Sequence, residues 1–297
     1  MFVSARTVIL GFVVASVLLV MPQGVLASTQ KPGTAAQVKS LVAGSVKITK
    51  LNSVVASEVS KARADNASFT YAIPNNCATA TQCVYGDKRG AKSIILFGDS
   101  HARMWLGSII PIATADRLRL IVLGRDGCPV IQITGTDFGG CNAILSADIA
   151  TINASKPVAV LLADRSSYPG YTSAFWKAGL IATINALRPS KARVAVIGDV
   201  QVLLADPVGC LAANPAAVQK CTGQNPNTLV PGQQKAEKSA ATTEKDVYVD
   251  PTPWLCTTTK CSVVIGNFVA YWNVSHITVS YSKYLSTVMG LAIKSTI

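Results

Sequence analysis

The sequence reads as a three-layer α/β/α domain, with a mostly parallel sheet of about five strands and an N-terminal helical arm. Short runs rich in Val, Ile and Leu alternate with longer helical stretches through most of the chain. The runs are apolar at nearly every position, the pattern of strands buried on both faces of a parallel sheet. Strand–helix alternation itself selects a sheet covered on both sides. At 297 residues, the chain suits one large domain plus an extension.

Along the chain, Arg6 precedes an apolar run from Thr7 to Val20, and small residues follow at Val25-Leu26-Ala27-Ser28. A positive start, an apolar centre and a small-residue cut site describe a secretory signal peptide over 1–27. The run is about 14 residues, short of the roughly 20 that a spanning helix needs; an uncleaved N-terminal membrane anchor is the alternative. Residues 28–75 read as linker and arm: polar through about 45, with apolar residues at mixed helical spacing from Val38 to Arg63. Residues 76–297 form the main domain. Its strands are Ser93–Phe97, Leu118–Leu123, Val158–Leu162, Arg193–Ile197 and the short Val247–Val249. Helices are expected over Ala102–Ala115, Asn142–Ala154, Ala174–Leu187 and Ile277–Ile293, and the polar stretch Val200–Lys245 is left without assignment. Ligands of such sheets sit beyond the carboxyl ends of the strands. The loops after Phe97, Leu123, Leu162 and Ile197 are therefore the ones to inspect.

The eight cysteines fall into close pairs: Cys77 with Cys83, Cys128 with Cys141, Cys210 with Cys221, Cys256 with Cys261. Behind a signal peptide, an even set at local spacing points to disulfides in an oxidising compartment. Eight cysteines allow about 105 pairings, and sequential pairing is the simplest. A zinc site is disfavoured, because no Cys-x-x-Cys occurs and neither histidine lies at ligand spacing to a pair. The net charge of +12 is scattered over Lys156, Lys177, Lys191, Lys235 and Lys238 among others. Without an Arg-rich block interleaved with aromatics, nucleic acid is not a partner. Anionic envelope polymers suit such a surface, and so does plain solubility charge.

The loop Gly98-Asp99-Ser100-His101-Ala102 turns a strand directly into a helix. This puts the Ser100 hydroxyl, and the Ser100 N–H as a candidate oxyanion donor, at a helix N-terminus. An N-cap serine is the bland alternative. A serine nucleophile needs a base within hydrogen-bond reach, and the chain holds two histidines. His101 would point along the helix away from the Ser100 hydroxyl. His276, in Tyr271-Trp272-Asn273-Val274-Ser275-His276-Ile277-Thr278, precedes the last helix and returns to the sheet's carboxyl edge. Asp99 reads as a carboxylate that bonds backbone near the turn, Asp199 as the end of a strand and Asp250, before Pro251, as a turn residue. Trp254, Trp272 and Tyr271 are candidates for a sugar-binding rim, with core packing as the alternative. No paired carboxylates argue for a glycosidase, and no Gly-x-Gly-x-x-Gly follows the first strand for a dinucleotide.

The segments Phe97 to Ala102, Asp250-Pro251-Thr252-Pro253-Trp254-Leu255-Cys256, Cys261 to Asn267 and Tyr271 to Thr278 together resemble the SGNH domain often fused to acyltransferase-3 membrane proteins. The resemblance covers roughly residues 47–290. It implies a secreted or periplasmic domain that moves or removes O-acyl groups on cell-surface glycans, with Ser100 as nucleophile and His276 as general base. The family places an Asp three residues before the histidine; this chain has Asn273. Members of the family use a Gly after the second strand and an Asn after the third as oxyanion donors, which implies Gly127 for the first; after the third strand this chain lacks the Gly-x-Asn-Asp and reads Ala163-Asp164-Arg165-Ser166, so that Arg165 or Ser166 would donate instead, with ordinary loop polars as the alternative. Two readings follow. One is a secreted or envelope-associated O-acyl esterase or acyltransferase using Ser100, His276 and Asn273, with no metal and no organic cofactor. The other is a weakened or inactive module that binds envelope glycan or assists a membrane acyltransferase. The expected partner is an envelope glycan or acylated carbohydrate, and a monomer is expected.

Overall fold

The computed structural model describes residues 30–74, 77, 83–132, 139–168, 171–224 and 233–297. The segment expected to be a signal peptide, 1–27, lies outside the described residues.

The arm is helical from further forward than its polar composition implies. Helix α1 (Ala35–Ser45) begins inside the expected linker. Its start is fixed by a capping box, in which Gln37 N–H donates to the Thr34 hydroxyl at 3.3 Å and Thr34 N–H to Gln37 Oε1 at 2.9 Å. Asn52 caps α2 (Ser53–Val59) and Asn66 caps α3 (Ala67–Thr70); each such cap contributes about 1 kcal/mol. Val38, Val42, Val55 and Val59 are buried in the same core as one face of the sheet, which makes the arm part of the folded body.

The central sheet contains β1 (Val84–Gly86), β2 (Lys92–Gly98), β3 (Leu118–Leu123), β4 (Ala159–Ala163) and β5 (Arg193–Ile197). After the small strand β6 (Gly223–Gln224), which lies outside it, β7 (Val247–Val249) completes it. Strand order is β1-β3-β2-β4-β5-β7. Only β1 runs antiparallel. At three half-buried residues, it is too short to leave an apolar run in the sequence. The other five strands fall where the runs predict. Their side chains alternate between two cores: Ile94 and Leu96 of β2 enter one, Ile95 and Phe97 the other. Leu161 and Leu162 of β4 divide the same way, which is why neither strand shows a polar face. Burying each such side chain contributes about 1.5–3 kcal/mol.

The first expected helix is two, α4 (Ser100–Arg103) and α5 (Leu106–Ala115), broken at the buried Met104 and Trp105. Helices α6 (Cys141–Ser155) and α7 (Ser173–Leu187) match their expected stretches. The unassigned polar segment holds α8 (Pro207–Ala213) and α9 (Gln233–Thr243). Helix α9 escapes an apolar pattern because its buried stripe, Ala236, Ala240 and Ala241, is made of small residues. A short α10 (Thr252–Leu255) leads to three further two-residue strands: β8 (Lys260–Cys261) pairs with β6, and β9 (Val264–Ile265) pairs with β10 (Phe268–Val269). The closing helix is divided at the buried Leu285 into α11 (Val279–Tyr284) and α12 (Ser286–Ile293).

Four disulfides join Cys77–Cys83, Cys128–Cys141, Cys210–Cys221 and Cys256–Cys261. Four disulfides indicate an extracytoplasmic chain. Among the described residues no helix is long and apolar enough to cross a membrane.

Two glycines set the carboxyl edge of the sheet. A Cβ on Gly98 would meet Ala163 O at 1.8 Å, and one on Gly124, at φ +106°, would meet Gly98 O at 2.0 Å. The obstacles are backbone atoms of neighbouring strands, which cannot rotate away. Gly98→Ala is expected to cost about 3 kcal/mol or more and to lower Tm by roughly 6–12 °C, read by calorimetry. An unchanged Tm would show that the strand ends can part without penalty.

Candidate active site

Strand order reverses between β2 and β4, so the chain leaving β2 enters the crevice where open α/β sheets hold ligands. Gly98 ends β2 and Asp99 caps α4, accepting the His101 N–H at 2.8 Å. Ser100 is thereby the first residue of α4 and stays partly exposed. From 176 positions away, His276 brings Nε2 to 2.8 Å from Ser100 Oγ.

The histidine sits on a tight hairpin closed by the Tyr271–Ile277 bridge and by Trp272 N–H to His276 O at 3.1 Å. Thr278 then caps α11. The arm braces the same point: Val279 N–H donates to Asp65 O, and Ser280 N–H reaches both Asp65 carboxylate oxygens at 3.2 Å. Inside the hairpin, Asn273 Oδ1 accepts the N–H groups of Ser275 at 2.9 Å and His276 at 2.8 Å. Two backbone donors on one atom identify it as the amide oxygen. The same oxygen lies 3.0 Å from His276 Nδ1, with Ser275 Oγ at 3.1 Å. An acceptor there places the proton on Nδ1 and leaves the Nε2 lone pair facing the Ser100 hydroxyl. This is the tautomer a general base needs.

Burial, with the nearby His101 and Arg165 charges, lowers the His276 pKa to about 2. A lowered imidazole pKa keeps the ring neutral, and so free to accept a proton, further into acid. Activity limited by this base is therefore expected to persist below the ordinary imidazole value of about 6.5. A pH profile of kcat/KM for an activated ester checks this; an acid limb at 6.5 or above would contradict the burial argument.

Behind the pair lies a buried polar layer that single-residue reading missed. His101 turns its Nδ1 to Asp199 Oδ1 at 2.6 Å, and its ring meets the His276 ring edge-to-face with centroids 4.3 Å apart. Asp199 also accepts Val200 N–H at 2.8 Å and Ser166 N–H at 2.9 Å. Asp99 accepts Arg165 N–H at 3.2 Å and the Tyr168 hydroxyl at 3.2 Å. Asp164 accepts Val130 N–H at 3.0 Å, and Glu237 of α9 accepts Asp199 N–H at 3.2 Å. Desolvation first, then the neighbouring carboxylates, push Asp164 and Glu237 well above the usual carboxylate range. For His101 burial opposes charge, but Asp199 and Asp99 outweigh it and raise the pKa. A signal for this layer was present in the sequence. Phe97-Gly98-Asp99, Leu162-Ala163-Asp164 and Ile197-Gly198-Asp199 each place an aspartate after a small residue at the end of an apolar run.

The remaining expected residues separate. Ser166 departs from its expected place as an oxyanion donor, because its N–H and, at 3.4 Å, its hydroxyl turn to Asp199. Arg165 gives its N–H to Asp99 and lays its guanidinium 5.3 Å from the Tyr168 ring centre. Gly127, at φ +75°, lies in the turn closed by Cys128 N–H to Arg125 O, with open space where a Cβ would be. Tyr271 is fully buried and belongs to the core. Trp254 packs edge-on against Trp105, while Trp272 stays partly exposed with its ring 5.2 Å from that of His276. Asp250 N-terminal to α10 accepts Thr252 N–H, as its turn reading predicts.

A serine hydroxyl and a neutral imidazole thus meet at the switch point of a parallel sheet covered on both faces. Residues 67–290 match the model of the SGNH domain fused to AT3 domains, more than half of the chain, and the chain belongs to that family. Among solved structures, it is similar in fold to the periplasmic domain of the lipopolysaccharide acetyltransferase of Salmonella ser. Paratyphi A. That likeness has a TM-score of 0.54 and 17% identity, over 71% of this chain and 85% of that one. A second, weaker likeness is to TesA, with TM-score 0.44 and 14% identity over 69% of this chain and 100% of that one. No curated protein matches by sequence.

Proposed function

We propose that the chain is an envelope-associated serine O-acyl esterase or acyltransferase acting on carbohydrate. The observation that carries this is the unbroken line from Ser100 Oγ through the His276 ring to Asn273 Oδ1. Ser100 Oγ attacks the acyl carbonyl carbon while its proton passes to His276 Nε2. The tetrahedral intermediate collapses, the C–O bond to the departing alcohol breaks, and that oxygen takes the proton from Nε2. Water or a sugar hydroxyl then attacks the acyl-Ser100 ester, giving its proton to Nε2, and Ser100 recovers it as the acid or the new ester leaves. The N–H groups of Ser100 and Gly127 are the oxyanion donors in this reading. Family membership and the fold shared with an acetyltransferase's periplasmic domain support acyl chemistry, and four disulfides support the location. The net charge of +12 suits an anionic envelope glycan, and transfer rather than hydrolysis follows where the cleft excludes water.

The test is labelling with a fluorophosphonate probe: wild type is expected to be modified and Ser100→Ala not. Equal labelling of the two, or none of either, would remove the catalytic assignment. Asn273, which brings no charge to the histidine, favours a second reading, a module that binds envelope glycan or assists a separate membrane acyltransferase. That reading expects glycan binding without turnover.

A further inference from the structure

We propose that the Arg165 guanidinium holds an anionic group, carboxylate or phosphate, on the glycan whose acyl ester Ser100 and His276 handle. The inference deepens the proposed function: it rests on that acyl-transfer pair and makes the substrate an acidic glycan. Arg165 follows Asp164 in the loop after β4, at the carboxyl edge of the sheet where Ser100 lies. Its N–H reaches both Asp99 carboxylate oxygens at 3.2 Å, and Asp99 caps α4 just before Ser100. The guanidinium lies 5.3 Å from the centre of the Tyr168 ring, whose hydroxyl donates to Asp99 Oδ2 at 3.2 Å. Main chain and side chain are thus both anchored to the residue that precedes the nucleophile, and Arg165 stays partly exposed.

What Arg165 lacks is a counter-charge. Its Nε donates to Ser167 Oγ at 3.3 Å. Among the described residues its two terminal nitrogens make no hydrogen bond, and no carboxylate pairs with it. His101, the other group whose positive charge bears on the base, is answered by Asp199 Oδ1 at 2.6 Å. After burial and His101, Arg165 is the third cause that lowers the His276 pKa. In the free site this charge opposes the imidazolium that forms when Nε2 takes the Ser100 proton. A substrate oxyanion seated on Arg165 offsets it, so one contact both binds the glycan and eases the proton transfer. Arginine suits the task. Its planar fork offers two parallel N–H donors to a carboxylate or phosphate and keeps its charge at any working pH. With Nε given to Ser167, the donors left for a ligand are those of the terminal nitrogens.

Protection of Ser100 from a fluorophosphonate probe tests the contact without requiring turnover. Three oligosaccharides of equal length compete with the label: a neutral one, a polyuronate and one linked by phosphodiesters. In wild type an acidic chain is expected to protect at roughly 10- to 100-fold lower concentration than the neutral one. Which acidic chain protects better tells carboxylate from phosphate. Arg165→Gln is expected to bring the acidic-to-neutral ratio to within about threefold of one. Arg165→Lys, which restores the charge without the fork, is expected to recover part of the preference. Lys92→Gln, on an exposed residue at the opposite end of β2, removes the same charge from the general field and is expected to keep the wild-type ratio. A wild-type ratio near one, or Arg165→Gln with the wild-type ratio, overturns the inference. So does an equal loss of preference in Lys92→Gln, which would make it a property of the net charge. Wild type that never labels would instead defeat the acyl-transfer reading beneath it.

Discussion

Replacing Ser100 with Ala is expected to lower hydrolysis of an activated acetyl ester by about 10³-fold or more, while Tm stays close to wild type. The size follows from what the hydroxyl does. It is the attacking atom, 2.8 Å from the base that takes its proton, and without it only binding and oxyanion stabilisation remain. The fold should tolerate the change, because Ser100 is partly exposed and the Asp99 side chain caps α4 through His101 N–H. His276→Ala should cost a similar factor. The double variant should cost little more, since nucleophile and base act as one unit and their losses do not add. Ester turnover in Ser100→Ala equal to wild type would show that another group does the chemistry.

How much of this the sequence reveals follows from what each feature needs. Strands buried on both faces leave continuous apolar runs, so β2 through β5 are readable directly. The strand β1, three half-buried residues on an edge, leaves no such mark. Helix α9 packs through alanines, whose small volume hides the buried stripe. Ser100 and His276 are readable because the residue types are scarce and the topology brings both loops to one sheet edge. The His101–Asp199 pair is not. A histidine one position past the serine looks turned away, and its partner is a carboxylate just past the end of β5, two places along the sheet. Local reading takes Asp99, Asp164 and Asp199 one at a time, as a turn, a loop and a strand-end residue. Only the parallel register, which aligns Gly98 of β2 with Ala163 of β4 and Leu162 with Val196 of β5, gathers them beneath the serine. Ser166 illustrates the same limit from the other side: its donors are spent on Asp199, a competition invisible without the fold.

Asn273→Asp is expected to raise kcat/KM for an acetyl ester by about 10- to 100-fold. In a serine protease the reverse change, Asp to Asn, lowers kcat about 10⁴-fold, with the wrong imidazole tautomer as the cause. Much of that penalty is absent here. Ser275 N–H and His276 N–H hold Asn273 by its oxygen, so the oxygen faces Nδ1 and the tautomer is already correct. Asp inherits the same two donors and the same 3.0 Å contact; the change adds charge without altering shape. The pH profile gives the change its sign. A carboxylate beside Nδ1 favours the imidazolium and raises the His276 pKa, so the neutral base is lost at a higher pH. The acid limb should move upward from its depressed position even as the plateau rises. An increase in rate with no movement of the limb would place the gain somewhere other than His276. Turnover that remains at zero in both proteins would favour the glycan-binding module over a weakened enzyme, because the orientation, the base and the charge would all be in place with no reaction to show for them.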